Sequence, residues 1–112
     1  MPPEDRTRFL HMIEATQTAL NFVAGRQRAD LDADQMLLFA VVRAIEVIGE
    51  AASRITEATR RAAPEIPWGL VVSMRNRLIH AYFDVDYDVV WKTGTEELPV
   101  LVRKLPTFVQ EP

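Results

Sequence analysis

The chain has 112 residues, 48% hydrophobic and 26% charged, with a formal net charge of −3 and no cysteine. That length predicts a single domain over residues 1–112, with a real core but little room for an enzyme that works alone. Without cysteine there is no disulfide, thiolate nucleophile or cysteine-based metal site. No apolar run reaches bilayer length and no secretory signal opens the chain, so the expected compartment is the cytoplasm, away from membranes.

A first helix is expected from Glu4 to Ala24, with Phe9, Ile13, Leu20 and Val23 near one face and Gly25 as its stop. His11 lies within it without partners at metal-ligand spacing and receives no role. Asp32 and Gln35 read as a capping box that opens a second, longest helix, predicted to run to Ala62. Leu38, Val41, Ile45, Ile48, Ala52 and Ile55 form one apolar stripe on it. Leu37, Ala40, Ala44, Val47 and Ala51 form a second, smaller-residued stripe, which suits a helix covered by its own core on one side and by another subunit on the other. Gly49 lowers helix propensity, which is tolerable where another backbone crosses close.

The remaining strip of that helix carries Arg43, Glu46, Glu50, Ser53 and Glu57. No His or Asp joins the two carboxylates at helical spacing, so a metal site is not expected there. Glu50 with Arg54 and Glu57 with Arg61 read as i,i+4 ion pairs, and Glu46 or Glu50 could alternatively orient an arginine from a neighbouring helix. Pro67 suits the first position of a third helix, Trp68 its core anchor, and the helix should extend to about His80. A fourth helical region starts near Asp86 and carries Val90, Trp91, Leu98, Leu101, Val102, Leu105 and Phe108, with a kink or break at Gly94 and Pro99. Nothing alternates with period two, so the expected class is all-α, a bundle of four to five helices.

Chemistry concentrates in Met74-Arg75-Asn76-Arg77-Leu78-Ile79-His80-Ala81-Tyr82-Phe83. On a continuous helix Arg75 and His80 would sit roughly 140° apart, while Asn76 and His80, four apart, would share a face. Basic residues dominate from Arg54 to Arg77 and acidic ones after Phe83, a pattern suited to local contact with a small polyanion rather than to wholesale duplex binding. On the residues alone, an Arg and a His near a helix C-terminus more simply satisfy carbonyls and the helix dipole. Arg77 fits substrate contact and a surface ion pair equally, and an aromatic at position 82 is ordinarily packing. There is no Gly-rich phosphate loop, no His-Glu-x-x-His and no sheet with stacking aromatics, so nucleotide hydrolysis, zinc chemistry and sequence-reading of RNA are disfavoured.

Arg75-(x4)-His80, with polar Asn76 after the arginine, resembles the Arg-x4–6-His signature of HEPN domains, and His80-Ala81-Tyr82 resembles the His-x-Tyr extension of the HepT branch. Ala44-Ile45-Glu46-Val47-Ile48-Gly49-Glu50-Ala51, Pro67-Trp68, and Val85-Asp86 leading to Val90-Trp91 match the same branch. Together the matches span nearly the whole chain. The resemblance implies a dimer-forming HEPN bundle and a metal-independent RNA endonuclease without cofactor, the toxin of a toxin–antitoxin system. Arg75 and His80 would then be catalytic, Asn76 and Arg77 supporting, and Glu46 and Glu50 placed behind Arg75. A homodimer would join two such motifs in one composite site. Tyr82 would be the acceptor for AMP from an MntA-like nucleotidyltransferase partner, within a homodimer or a larger hetero-oligomer.

Ala81, Asp84 and Gly69 depart from the residues common in relatives, and they put in doubt the turn before Val85 and any contact made by residue 81. The alternatives are a non-catalytic HEPN module that binds a nucleotidyltransferase or a nucleotide, and a helical dimerisation protein with no chemistry.

Overall fold

The computed structural model describes residues 1–81 and 84–108; the side chains of His80, Ala81, Thr107 and Phe108 also lie outside the description. Within those residues the chain is an all-α bundle. Its first helix, α1 (Pro3–Val23), ends where expected: Ala24 donates to Leu20 O and Gly25 adopts φ 72°, a conformation that favours glycine. The buried strip of α1 is Phe9, Met12, Thr16, Ala19 and Val23, with Ile13 and Leu20 only partly buried beside it. Thr16 is accommodated because its hydroxyl donates to Met12 O at 2.6 Å.

A one-turn helix, α2 (Asp30–Ala33), precedes the central helix α3 (Gln35–Ser53). The expected cap at Asp32 is corrected here. Asp34 is the N-cap, extended in backbone, and its carboxylate accepts from the Leu37 N–H at 3.1 Å. Asp32 lies inside α2 and pairs with Arg28, which also reaches Asp88. The stripe Leu38, Val41, Ile45, Ile48, Ala52 and Ile55 is buried throughout. Of the second stripe, Leu37, Ala44 and Ala51 are buried within the chain, and Ala40 and Val47 line a groove against α1.

The central helix does not reach Ala62. It ends at Ser53, and a separate short helix, α4 (Glu57–Ala62), follows. The cause is a carboxylate brought from the far end of the sequence. Asp5, 1% exposed, accepts from the Thr56 N–H at 3.1 Å and from the Thr56 and Thr59 hydroxyls, both at 2.6 Å. Burial alone would raise the Asp5 carboxyl, but the Thr56 and Thr59 hydroxyls and the Thr56 amide outweigh it and hold the group below its ordinary value.

The third helical region is divided into α5 (Trp68–Val72) and α6 (Met74–Leu78), with Ser73 between. Pro67 stands just before α5 rather than at its first position. Trp68 anchors it as expected, its indole N–H donating to Arg60 O and Ala63 O and its ring meeting Phe9 edge to face at 5.7 Å. The helix stops at Leu78, not near His80. Ile79–Ala81 forms β1, paired antiparallel with β2 (Asp84–Val85), and Asp86 N–H donates to Leu78 O at 2.7 Å. Asp86 then caps α7 (Tyr87–Lys92) by accepting from Val89 N–H.

The break expected around Gly94 and Pro99 is a π-helical turn over Thr93–Glu97, in which Leu98 N–H reaches back five residues to Thr93 O. Pro99 has no N–H to restore the tighter pattern. Helix α8 (Leu98–Lys104) and a 3₁₀ turn over Leu105–Phe108 complete the described chain. Among the described residues no helix is long and apolar enough to cross a membrane.

Candidate active site

The signature stretch is positioned by a close helix crossing. Gly49 of α3 faces the end of α5, and a Cβ placed on it would lie 3.3 Å from Val71 O and 3.4 Å from Val72 O. The absent side chain therefore lets α5 and α6 lie against α3, as the glycine's position in the sequence suggested. Beside that crossing is an open cleft of about 310 Å³ lined by Glu46, Gly49, Glu50, Ser53, Val72, Arg75 and Asn76. The α3 members sit three and four residues apart, so they occupy one helical face.

Arg75 reaches across the cleft to α3, where its Nε donates to Glu46 Oε2 at 3.3 Å. Its terminal nitrogens make no hydrogen bond among the described residues, and its side chain is 55% exposed. The guanidinium is thus held by one nitrogen while its paired outer donors stay unbonded among the described residues of a cleft-lining side chain, a state that suits two oxygens of a phosphate. Asn76 lines the same cleft and is exposed. Glu50 also lines it, with its carboxylate paired to Arg54 at 3.3 Å, and among the described residues Glu46 is the acid that bonds Arg75.

Arg77 is engaged in an ion pair within the chain. Its two terminal nitrogens grip Glu97 at 3.2 and 3.3 Å, one of them also reaches Leu70 O at 3.5 Å, and its Nε is buried. It ties α6 to the π-helical turn and stands away from the cleft lining. The face-sharing expected of Asn76 and His80 does not apply, because the helix ends between them and His80 belongs to β1. The His80 side chain and the whole of Tyr82 lie outside the described residues.

Two features escaped the sequence. Asp5 carries no local signal of its role, and nothing near it marks partners 51 and 54 residues away. The Arg8, His11 and Arg43 cluster on the outer face of α1 and α3 also went unread, although its spacing on each helix carries the signal.

The chain matches the family described as "Ribonuclease HepT-like" over residues 12–108. It belongs to the HepT-like ribonuclease family. Among curated relatives, the "Probable ribonuclease HepT" of Thermococcus cleftensis is 49% identical over 75 residues, 67% of this chain and 68% of that protein. A "Putative RNase" of Methanocaldococcus jannaschii is 34% identical across 99% of this chain and 93% of its own length. A "Putative RNase" of Caldanaerobacter subterraneus is 32% identical across 90% of both. No solved structure matches the chain. The HEPN-type resemblance carried by Arg75 to Tyr82 is thereby placed in a HepT-like family, and the helical bundle agrees with it.

Proposed function

We propose that this chain, as one HEPN unit over residues 1–112, is a metal-independent RNA endonuclease. We assign it as the toxin half of a toxin–antitoxin system in the cytoplasm, held inactive by an MntA-like nucleotidyltransferase. Membership of a ribonuclease family supports the reaction class, and the observation that carries the site is Arg75, steered by Glu46 with its outer donors left over.

Arg75 would bind the non-bridging oxygens of the scissile phosphate as their charge grows. His80 would accept the 2′-hydroxyl proton as that oxygen attacks the adjacent phosphorus. As the bond from phosphorus to the 5′-oxygen breaks, the departing oxygen needs a proton. One imidazole serves poorly as base and acid at once, so a homodimer would supply a second His80 to the same composite site. Asn76 would donate to the substrate or orient the imidazole. Tyr82 would accept AMP when its phenol oxygen attacks the α-phosphorus of ATP and pyrophosphate leaves. That phosphate, beside Arg75 and His80, would occupy the cleft and repel RNA.

The test is cleavage of single-stranded RNA in the presence of a chelator by the wild-type chain, Arg75→Ala and His80→Ala. Cleavage by wild type alone, with all three folded, is expected; equal activity in the variants rules out the assigned site. Intact-protein mass spectrometry after incubation with the partner and ATP should add AMP at Tyr82. An unmodified Tyr82 beside an active partner would point instead to inhibition by complex formation.

A further inference from the structure

The outer face of α1 and α3 carries a second open groove, of about 300 Å³, which the proposed reaction does not use. Arg8 and His11 line it from α1, Arg43 and Glu50 from α3 and Arg54 from the residue that caps α3, together with Val47 and Ala51. On α3 the members fall at positions 43, 47, 50 and 54, one face of the helix, and Arg8 and His11 are three apart on the facing helix. Glu50 lines both this groove and the Arg75 cleft, so the two adjoin at one residue.

The charges are unevenly satisfied. Arg54 shares Glu50 at 3.3 Å. Arg8 and Arg43 make no hydrogen bond and no ion pair within 4 Å among the described residues. Asp5, the acid that feels Arg8, already has its oxygens engaged by Thr56 and Thr59. Glu14 is a further acid, in the adjoining stretch of groove shared by His11 and Arg43. Three guanidiniums and one carboxylate, Glu50, line this open channel, and Glu50 is shared with Arg54, so Arg8 and Arg43 form a local positive site of the kind a polyanion fills on a chain of net charge −3.

We propose that this groove is a phosphate-binding subsite, in which Arg8 and Arg43 hold the backbone of the RNA strand running on from the Arg75 cleft. A guanidinium pairs with two phosphate oxygens, and contacts of this kind position a strand without reading its bases. The inference rests on the ribonuclease reading and adds to it where the substrate lies.

The test uses the full chain carrying His80→Ala to stop turnover, with a labelled single-stranded RNA titrated at several salt concentrations. Each phosphate contact to a single strand contributes about 0.7 to the slope of log K against log salt. Arg8→Gln with Arg43→Gln should therefore shrink that slope by about 1.4. Arg61→Gln, at an exposed arginine paired with Glu57, should leave it unchanged. In the His80-intact background the double variant should raise KM for long RNA and leave kcat as it was.

An unchanged slope in the double variant overturns the subsite and leaves the ribonuclease reading standing, provided the wild type cleaves. A wild type that neither binds nor cleaves RNA overturns both. If the double variant instead converts a dimer to a monomer in sedimentation, the groove is an interface between copies and the subsite is wrong.

Discussion

Two polar clusters in this molecule each bring a charge from one helix to partners far along the chain, and they end in opposite states. Asp5 accepts three hydrogen bonds from Thr56 and Thr59, two of them at 2.6 Å, and is closed off from solvent. Arg75 makes one hydrogen bond, at 3.3 Å to Glu46, and stays more than half exposed. A charge whose capacity is consumed internally holds elements together; a charge with donors left over is available to something that is not yet there. Arg77, two residues from Arg75, falls on the first side: both its outer nitrogens close on Glu97.

The largest separation between the clusters should come from Arg75→Ala. Removing one preorganised donor to a developing oxyanion costs about 100- to 1,000-fold in kcat, whereas an exposed ion pair contributes only about 0.2–1 kcal/mol to stability. Cleavage should collapse while the melting temperature barely moves. A large fall in melting temperature with residual cleavage intact would break the comparison.

Asp5→Ala should do the reverse. It strands the buried Thr59 hydroxyl and removes the acceptor of the Thr56 amide and hydroxyl, which costs about 1–3 kcal/mol, and each kcal/mol is about 4–8 °C of melting temperature in a domain of roughly this size. Specific RNA cleavage by the folded fraction should be unchanged. Acid should act on the same residue. Because the Asp5 carboxyl is held below its ordinary value in the folded chain, its stabilisation is complete above the unfolded value, about 3.9. It is then lost as pH falls through the lower folded value. Thermal melts of wild type should therefore lose stability below about pH 4 more steeply than those of Asp5→Asn; parallel curves would show that Asp5 is not the titrating group.

Gly49→Val sharpens the comparison because it alone should move both readouts. Its new atoms press on Val71 O and Val72 O, which are backbone and cannot turn aside. Overpacking of this kind costs about 1–3 kcal/mol, and the displaced α6 carries Arg75 away from Glu46. Lower melting temperature together with lower kcat is expected; loss of stability with kcat intact would show that the crossing does not position the cleft.

The same contrast explains what could be read from the sequence. Periodicity and backbone chemistry were legible: the stripe from Leu38 to Ile55, the stop at Gly25, the disruption around Gly94 and Pro99, and the close crossing at Gly49. These rest on residues that act within a few positions of themselves. The end of α3 was not legible, because residues 54–62 keep a helical pattern and the break is imposed by Asp5 across 51 residues. Nor was the choice of cap. Asp32 and Asp34 are equally suitable locally, and Arg28 settles the matter by drawing Asp32 and Asp88 together. In the candidate site Arg75 and Asn76 stood out as residue types at known spacing, and Glu46 stood, with Glu50, only as an alternative to a structural role on its own helix. The helix end at Leu78 was not, since a backbone bond from Asp86 fixes it.

The smallest effect should come from Glu46→Gln. The amide can still accept from Arg75 Nε but carries no charge, and the exposed pair it replaces contributes about 0.2–1 kcal/mol. Melting should be almost unaltered. If the contact serves to steer the guanidinium, that energy is felt in the transition state, where 1.36 kcal/mol is tenfold in rate, so kcat should fall by no more than about fivefold with KM unchanged. A fall as deep as that of Arg75→Ala would mean that Glu46 itself takes part in the chemistry. No fall at all would mean that Arg75 finds its place from the helix alone.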